Sequence, residues 1–107
     1  IIPIGYILLD GGTDSSVMKV SGTQPLAQDK KEEIVSTAIA GELTGKRLIY
    51  LEAGSGARMP VREDVIRCVR EAVSLPLIVG GGLRTCKAIE TAWQAGADMV
   101  VIGNGLE

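Results

Sequence analysis

Four short apolar runs punctuate the chain: IGYILLD (residues 4–10), RLIYLE (47–52), PLIVG (76–80) and DMVVIG (98–103). They are almost continuously apolar instead of alternating, the pattern of parallel strands covered on both faces. Between them, apolar residues return at helical spacing. From Gln28 to Leu43 the stripe is Ile34, Val35, Ala38, Ile39 and Leu43, with Gly45 as a stop. From Arg62 to Val73 it is Val65, Ile66, Val69 and Val73, with charges on the other face. From Thr85 to Ala95 it is Cys86, Ile89, Ala92 and Trp93, closed by Gly96. The predicted order β-α-β-α-β-α-β defines an α/β fold of parallel strands alternating with helices. The polar, Gly/Ser/Thr-rich stretch from Gly11 to Leu26 fits neither pattern and is expected to be a loop over a site or a long surface excursion.

In parallel α/β architectures, ligands bind at the carboxyl ends of the strands. Those ends carry EAGSG (52–56), GGGLR (80–84) and GNG (103–105), so three glycine clusters fall on one face. A glycine backbone, lacking Cβ, can approach a phosphate closely and offer its N–H groups in a concave arrangement, and helix N-termini add partial positive charge. Each cluster alone is also what a tight strand-to-helix turn needs; three in phase point to phosphate. Ser55 would add a hydroxyl donor or cap a helix, Arg84 would contact the anion or stand exposed, and Asn104 would offer its amide. Tyr50 and Glu52, two apart on one strand, point to the same side. There Glu52 can hold or deprotonate a substrate hydroxyl and Tyr50 can hydrogen-bond the phosphate, against readings as a buried ion-paired acid and core filler. Asp10 and Asp14 are metal candidates on a weak pattern, better read as solvated loop acids.

Barrels of the (β/α)8 type commonly hold phosphate in the loops after strands seven and eight, and need ~250 residues. The 107 residues supply four strands. The expectation is therefore the C-terminal half of a (β/α)8 TIM barrel, approximately strands five to eight, with residues 1–107 a single partial domain cut at both ends.

Composition narrows the chemistry further. Eleven basic and thirteen acidic residues give a net charge of -2, with no basic tract and no reason to expect nucleic acid. Two tyrosines and one tryptophan are too few for base-stacking platforms. The absence of histidine removes Ser-His-Asp and Cys-His catalysis and His-based zinc sites. Cys68 and Cys86 fall in helical segments, and are expected to be buried thiols of a cytoplasmic protein instead of a disulfide framework. No apolar run reaches the ~20 residues that cross a bilayer, so an integral membrane protein is not expected. The apolar start, IIPIGYILLDGG, lacks the basic leading region and cleavage site of a signal peptide.

The strings YLEAGSGA, PLIVGGGLR and ADMVVIGNGLE, with IPIGYILLDGG and SGTQPL upstream, closely resemble the geranylgeranylglyceryl phosphate synthases, (β/α)8-barrel prenyltransferases of archaeal-type ether-lipid synthesis. Related heptaprenylglyceryl phosphate synthases carry Tyr-Ser-Gly where this chain has Ala-Gly-Ser-Gly, so the resemblance implies a C20 donor. It implies transfer of a geranylgeranyl group from its diphosphate to the 3-hydroxyl of sn-glycerol 1-phosphate. The acceptor would be held by Tyr50, Leu51, Glu52, Ala53, Gly54, Ser55 and Gly56, by Gly81 and Gly82, and by Gly103 and Asn104. Glu52 and Tyr50 would be the catalytic pair. The family's Mg2+ and diphosphate site uses an acid and a hydroxyl residue from early strands, which these residues do not match, so no metal ligand is assigned here and the stretch alone is expected to be inactive. A homo-oligomer is expected. Two alternatives share the glycine loops: another phosphate-binding barrel enzyme of biosynthesis, and a non-catalytic half-barrel.

Overall fold

The computed structural model describes residues 1–12, 25–54 and 57–102. Four strands, β1 (Ile4–Leu8), β2 (Leu48–Glu52), β3 (Leu77–Gly80) and β4 (Met99–Val101), alternate with α1 (Lys31–Leu43), α2 (Glu63–Ala72) and α3 (Cys86–Ala95). The strands are all parallel and lie side by side in chain order, β1-β2-β3-β4. Order without reversal separates this sheet from a doubly wound one, in which the order turns back and helices cover both faces. Here α1 packs on α2 and α2 on α3, one row of helices behind the sheet. The fold is half of a (β/α)8 barrel.

That arrangement divides each strand cleanly. Ile7, Leu9, Ile49, Leu51, Leu77 and Val79 point to the helices and are buried with Ile34, Ala38, Val65, Ile66, Val69, Ile89 and Ala92. The residues between them occupy the opposite face, which no helix among the described residues covers. Ile4, Tyr6, Met99 and Val101 are exposed there and Leu48, Tyr50, Glu52 and Ile78 half-buried. Continuous apolar runs thus reflect two faces that are both meant to be covered, of which this row of helices covers one.

The element ends differ from the sequence pattern by a few residues, and the helical stripes are narrower. β1 closes at Leu8; Leu9 continues only as a parallel bridge to Leu26, and the expected loop between Gly11 and Leu26 lies mostly outside the described residues. α1 begins at Lys31 instead of Gln28, and buries Ile34 and Ala38 while Ile39 and Leu43 are exposed. Trp93 and Cys86 on α3 are also exposed, and Cys68 is half-buried, so the thiols are not the buried pair expected. For the residues of α1 and α3 the cause is shared: these helices end the row, and each has a helix neighbour on one side only. Thr85 caps α3 as its side chain accepts from Ala88 N at 3.0 Å.

Candidate functional site

Strand register sets the site. Leu8, Glu52, Gly80 and Val101 form one row across the sheet at its carboxyl edge, and Tyr6, Tyr50, Ile78 and Met99 form the row beneath. Both rows project from the face without helices. Tyr50 and Glu52 therefore do share a side, as their spacing requires.

Each is held by a place where a side chain is missing. A Cβ on Gly80 would lie 2.8 Å from the Tyr50 hydroxyl, so the tyrosine lies across β3 only because Gly80 has none. A Cβ on Gly81 would lie 2.6 Å from Glu52 Oε1. That same oxygen accepts from Gly54 N at 3.0 Å. Gly54 (φ 100°) and Gly81 (φ 90°) both adopt the left-handed conformation that side-chain-bearing residues avoid. Two glycine turns thus close on one carboxylate. That carboxylate occupies the Gly54 N–H, which is therefore not free to hold an anion.

Tyr6 joins this pair. Its ring centroid lies 5.3 Å from that of Tyr50, with the planes tilted by 36°, within the range of favourable aromatic pairing. Burial, then the Glu52 charge and hydrogen bond, then Tyr6, push the Tyr50 hydroxyl up to about 12. Burial and Glu52 also raise Tyr6. Both phenols stay protonated over the physiological range, and Tyr50 is a standing hydrogen-bond donor. The sequence reading did not include Tyr6, although equal strand lengths would have set it opposite Tyr50.

The other predicted residues divide into groups. Leu51 and Ala53 are buried on the helix side, so their side chains do not face the site and only their backbone can contribute. Gly82 (φ 71°) is at the carboxyl edge as expected, but its nearest neighbours are the backbone of Met59 and Pro60, 2.8 Å from where its Cβ would be. Packing between loops therefore demands a glycine there, whatever it binds. Arg84 is exposed. Ser55, Gly56, Gly103, Asn104 and Asp14 lie outside the described residues. Asp10 accepts from Gly12 N at 2.9 Å, a local turn bond. Among the described residues, no three Asp, Glu, Cys or His side chains come together to hold a metal ion. The described residues thus do not build a site for the magnesium that the resemblance implies.

Known proteins are similar to this chain in sequence and in fold. The chain is 55% identical over 107 residues to a geranylgeranylglyceryl phosphate synthase of Zunongwangia profunda, covering 100% of this chain and 46% of the relative. It is 42% identical over 106 residues to the synthase of the same name from Korarchaeum cryptofilum, covering 99% of this chain and 43% of that one. A crystal structure of (S)-3-O-geranylgeranylglyceryl phosphate synthase from Thermoplasma acidophilum, in complex with sn-glycerol-1-phosphate, superposes with a TM-score of 0.88 at 40% identity. It covers 98% of this chain and 42% of that structure. The chain spans less than half the length of these relatives. The family model that matches, the PcrB family, covers residues 1–107, and the chain belongs to that family.

Proposed function

We propose that this chain supplies the acceptor half of a prenyltransferase active site, which moves a geranylgeranyl group from its diphosphate to the 3-hydroxyl of sn-glycerol 1-phosphate. The observation that carries the reading is the Glu52 carboxylate, clasped between Gly54 and Gly81 at the sheet edge with the protonated Tyr50 beneath it. The sn-glycerol-1-phosphate bound by the Thermoplasma acidophilum relative supports the choice of acceptor.

In this mechanism the glycerol phosphate lies across the carboxyl edge of the sheet. Its phosphate is cradled by backbone N–H groups of residues 55–56 and 81–82 and by Gly103 and Asn104, with Ser55 as a hydroxyl donor. Its free hydroxyl points to Glu52. The bond between the prenyl C1 and the diphosphate oxygen breaks, with the electron pair leaving on diphosphate. The hydroxyl oxygen forms a new bond to C1, and its proton passes to the Glu52 carboxylate. Tyr50 orients the acceptor as a neutral donor. The prenyl donor and its diphosphate are held by parts of the full-length protein outside this chain, and no step on these residues requires a metal ligand from them. The reading extends to residues 1–107 as part of one domain, the C-terminal half of its barrel. It includes action in the cytoplasm, self-association as a homo-oligomer, and a magnesium requirement met elsewhere in the full-length protein. Among the described residues, no helix is long and apolar enough to cross a membrane.

The test is Glu52→Gln in the full-length protein. The amide keeps the size of the side chain and cannot accept the proton. Turnover is expected to fall by about 10²–10⁴-fold, the usual worth of a positioned base, while calorimetric binding of sn-glycerol 1-phosphate is retained. Near-normal turnover would remove Glu52 from this role.

A further inference from the structure

Gln28 is the one buried polar or charged side chain among the described residues, at 7% exposure. It sits three residues ahead of α1 and is buried between loops. Its amide joins three points on two loops. Nε2 donates to the Asp10 carbonyl at 2.8 Å and reaches the Pro60 carbonyl at 3.4 Å. Oε1 accepts from Arg62 N at 2.7 Å. Two carbonyls on one side and an N–H on the other leave only one orientation of the amide that satisfies all three.

The segments it ties frame the acceptor site. Asp10 follows β1, and residues 57–62 run from the Gly54 turn to the start of α2. Gly11 O accepts from Arg58 N at 2.9 Å and from Met59 N at 3.1 Å, closing a second link between the same loops. A Cβ on Gly11 would collide with Ala53 O, so the loops meet with no room between them. The Met59–Pro60 backbone then bears on Gly82. One stretch of backbone, fixed from below by Gln28, thus spaces the turn at Gly54 from the turn at Gly81 and Gly82.

We infer that Gln28 is a positioning residue for the phosphate of the acceptor, acting through residues 58–62 on the two glycine turns. The inference rests on the reading under Proposed function and deepens it. In the full-length protein, Gln28→Met fills the same space without either polar atom, and Gln28→Glu keeps the acceptor for Arg62 N. With both variants folded at the assay temperature, Gln28→Met is expected to raise the KM for sn-glycerol 1-phosphate by about ten-fold, since small misplacements of a binding frame carry costs of that size or more. The KM for geranylgeranyl diphosphate and the kcat should stay within about two-fold, because neither reads the phosphate frame. A purely structural residue would instead move both KM values together, or neither, and either result overturns the inference. If Gln28→Met does not fold, the same split is read on Gln28→Glu. If the unmodified protein does not turn over sn-glycerol 1-phosphate, the enzymatic reading fails on its own. Calorimetry with inorganic phosphate then decides the positioning claim: an affinity about ten-fold weaker in the variant upholds it, and equal affinities refute it.

Discussion

Tyr50 and Glu52 share one side of β2, where the carboxylate acts on the phenol. Burial, the neighbouring carboxylate and Tyr6 keep the Tyr50 phenol protonated with its pKa raised to about 12. A group whose folded pKa lies above its unfolded value contributes stability that is complete below the unfolded value, and loses it as pH rises through the folded one. Spectroscopic titration of the tyrosines should therefore show one ionising well above pH 10, with stability falling between pH 10 and about 12; a titration at the ordinary value contradicts the environment described here. Removing the hydroxyl in Tyr50→Phe is expected to raise the KM for the acceptor by about ten-fold, roughly 1.4 kcal/mol, the worth of one hydrogen bond to a charged group. An unchanged KM would assign Tyr50 to packing. Gly81→Ala is the sterner variant. It forces a side chain into a left-handed conformation, at about 1–3 kcal/mol, and pushes into Glu52 Oε1. Both melting temperature and turnover should fall; a loss of stability alone would detach Gly81 from the site.

At the scale of elements, the end of the sheet away from the site is held by a different set of bonds. Asp98 Oδ2 accepts from Leu77 N at 2.8 Å and from Arg70 at 2.8 Å, and Arg70 also donates to the carbonyls of Val73 and Leu75. Arg70 lies against Gly96 (φ 126°), where a Cβ would approach its Cγ to 2.5 Å. Gly96→Ala is therefore expected to cost about 1–3 kcal/mol in a thermal melt of the full-length protein without changing the KM of the acceptor, which separates it from the glycines of the site. Glu42 ties α1 to the turn before β3: its carboxylate accepts from Ser74 N and Ser74 Oγ, and these bonds hold its pKa below the ordinary 4.5. That contribution is present above pH 4.5 and is lost as pH falls through the lowered value. Element order and the positions of Gly54 and Gly80–Gly82 at the carboxyl edge were legible in the sequence because strand runs, helical periodicity and turn residues are local. The buried faces were not. Ile39, Leu43 and Trp93 fit helical stripes, yet they are exposed because α1 and α3 end the row of helices. Gln28 was missed for a related reason: its three partners come from loops at positions 10, 60 and 62, and no short pattern links them. Gly82 looked like a ligand contact, and its demand for glycine comes from Met59 and Pro60.

Over the whole molecule, one face of the sheet is packed and the other is open and apolar, with Tyr6 57% and Met99 56% exposed. Apolar surface of that kind, continuous across four strands, is rarely left in water. The isolated 107-residue chain should therefore bind a hydrophobic dye or self-associate, and should transfer no prenyl group. Dye binding equal to that of the full-length protein would show the face to be covered by other means, and turnover by the isolated chain would refute the division of the site into two halves. Scattering mass of the full-length protein tests the proposed homo-oligomer in the same preparation. The acceptor chemistry is tested most directly by offering the full-length protein geranylgeranyl diphosphate with sn-glycerol 1-phosphate or, separately, with aminoaldose phosphates, and following diphosphate release with formation of the ether product. Glu52 beyond the phosphate turns predicts ether formation with sn-glycerol 1-phosphate and little or none with the sugar phosphates; preference for the sugar phosphates, or no ether product, would contradict it.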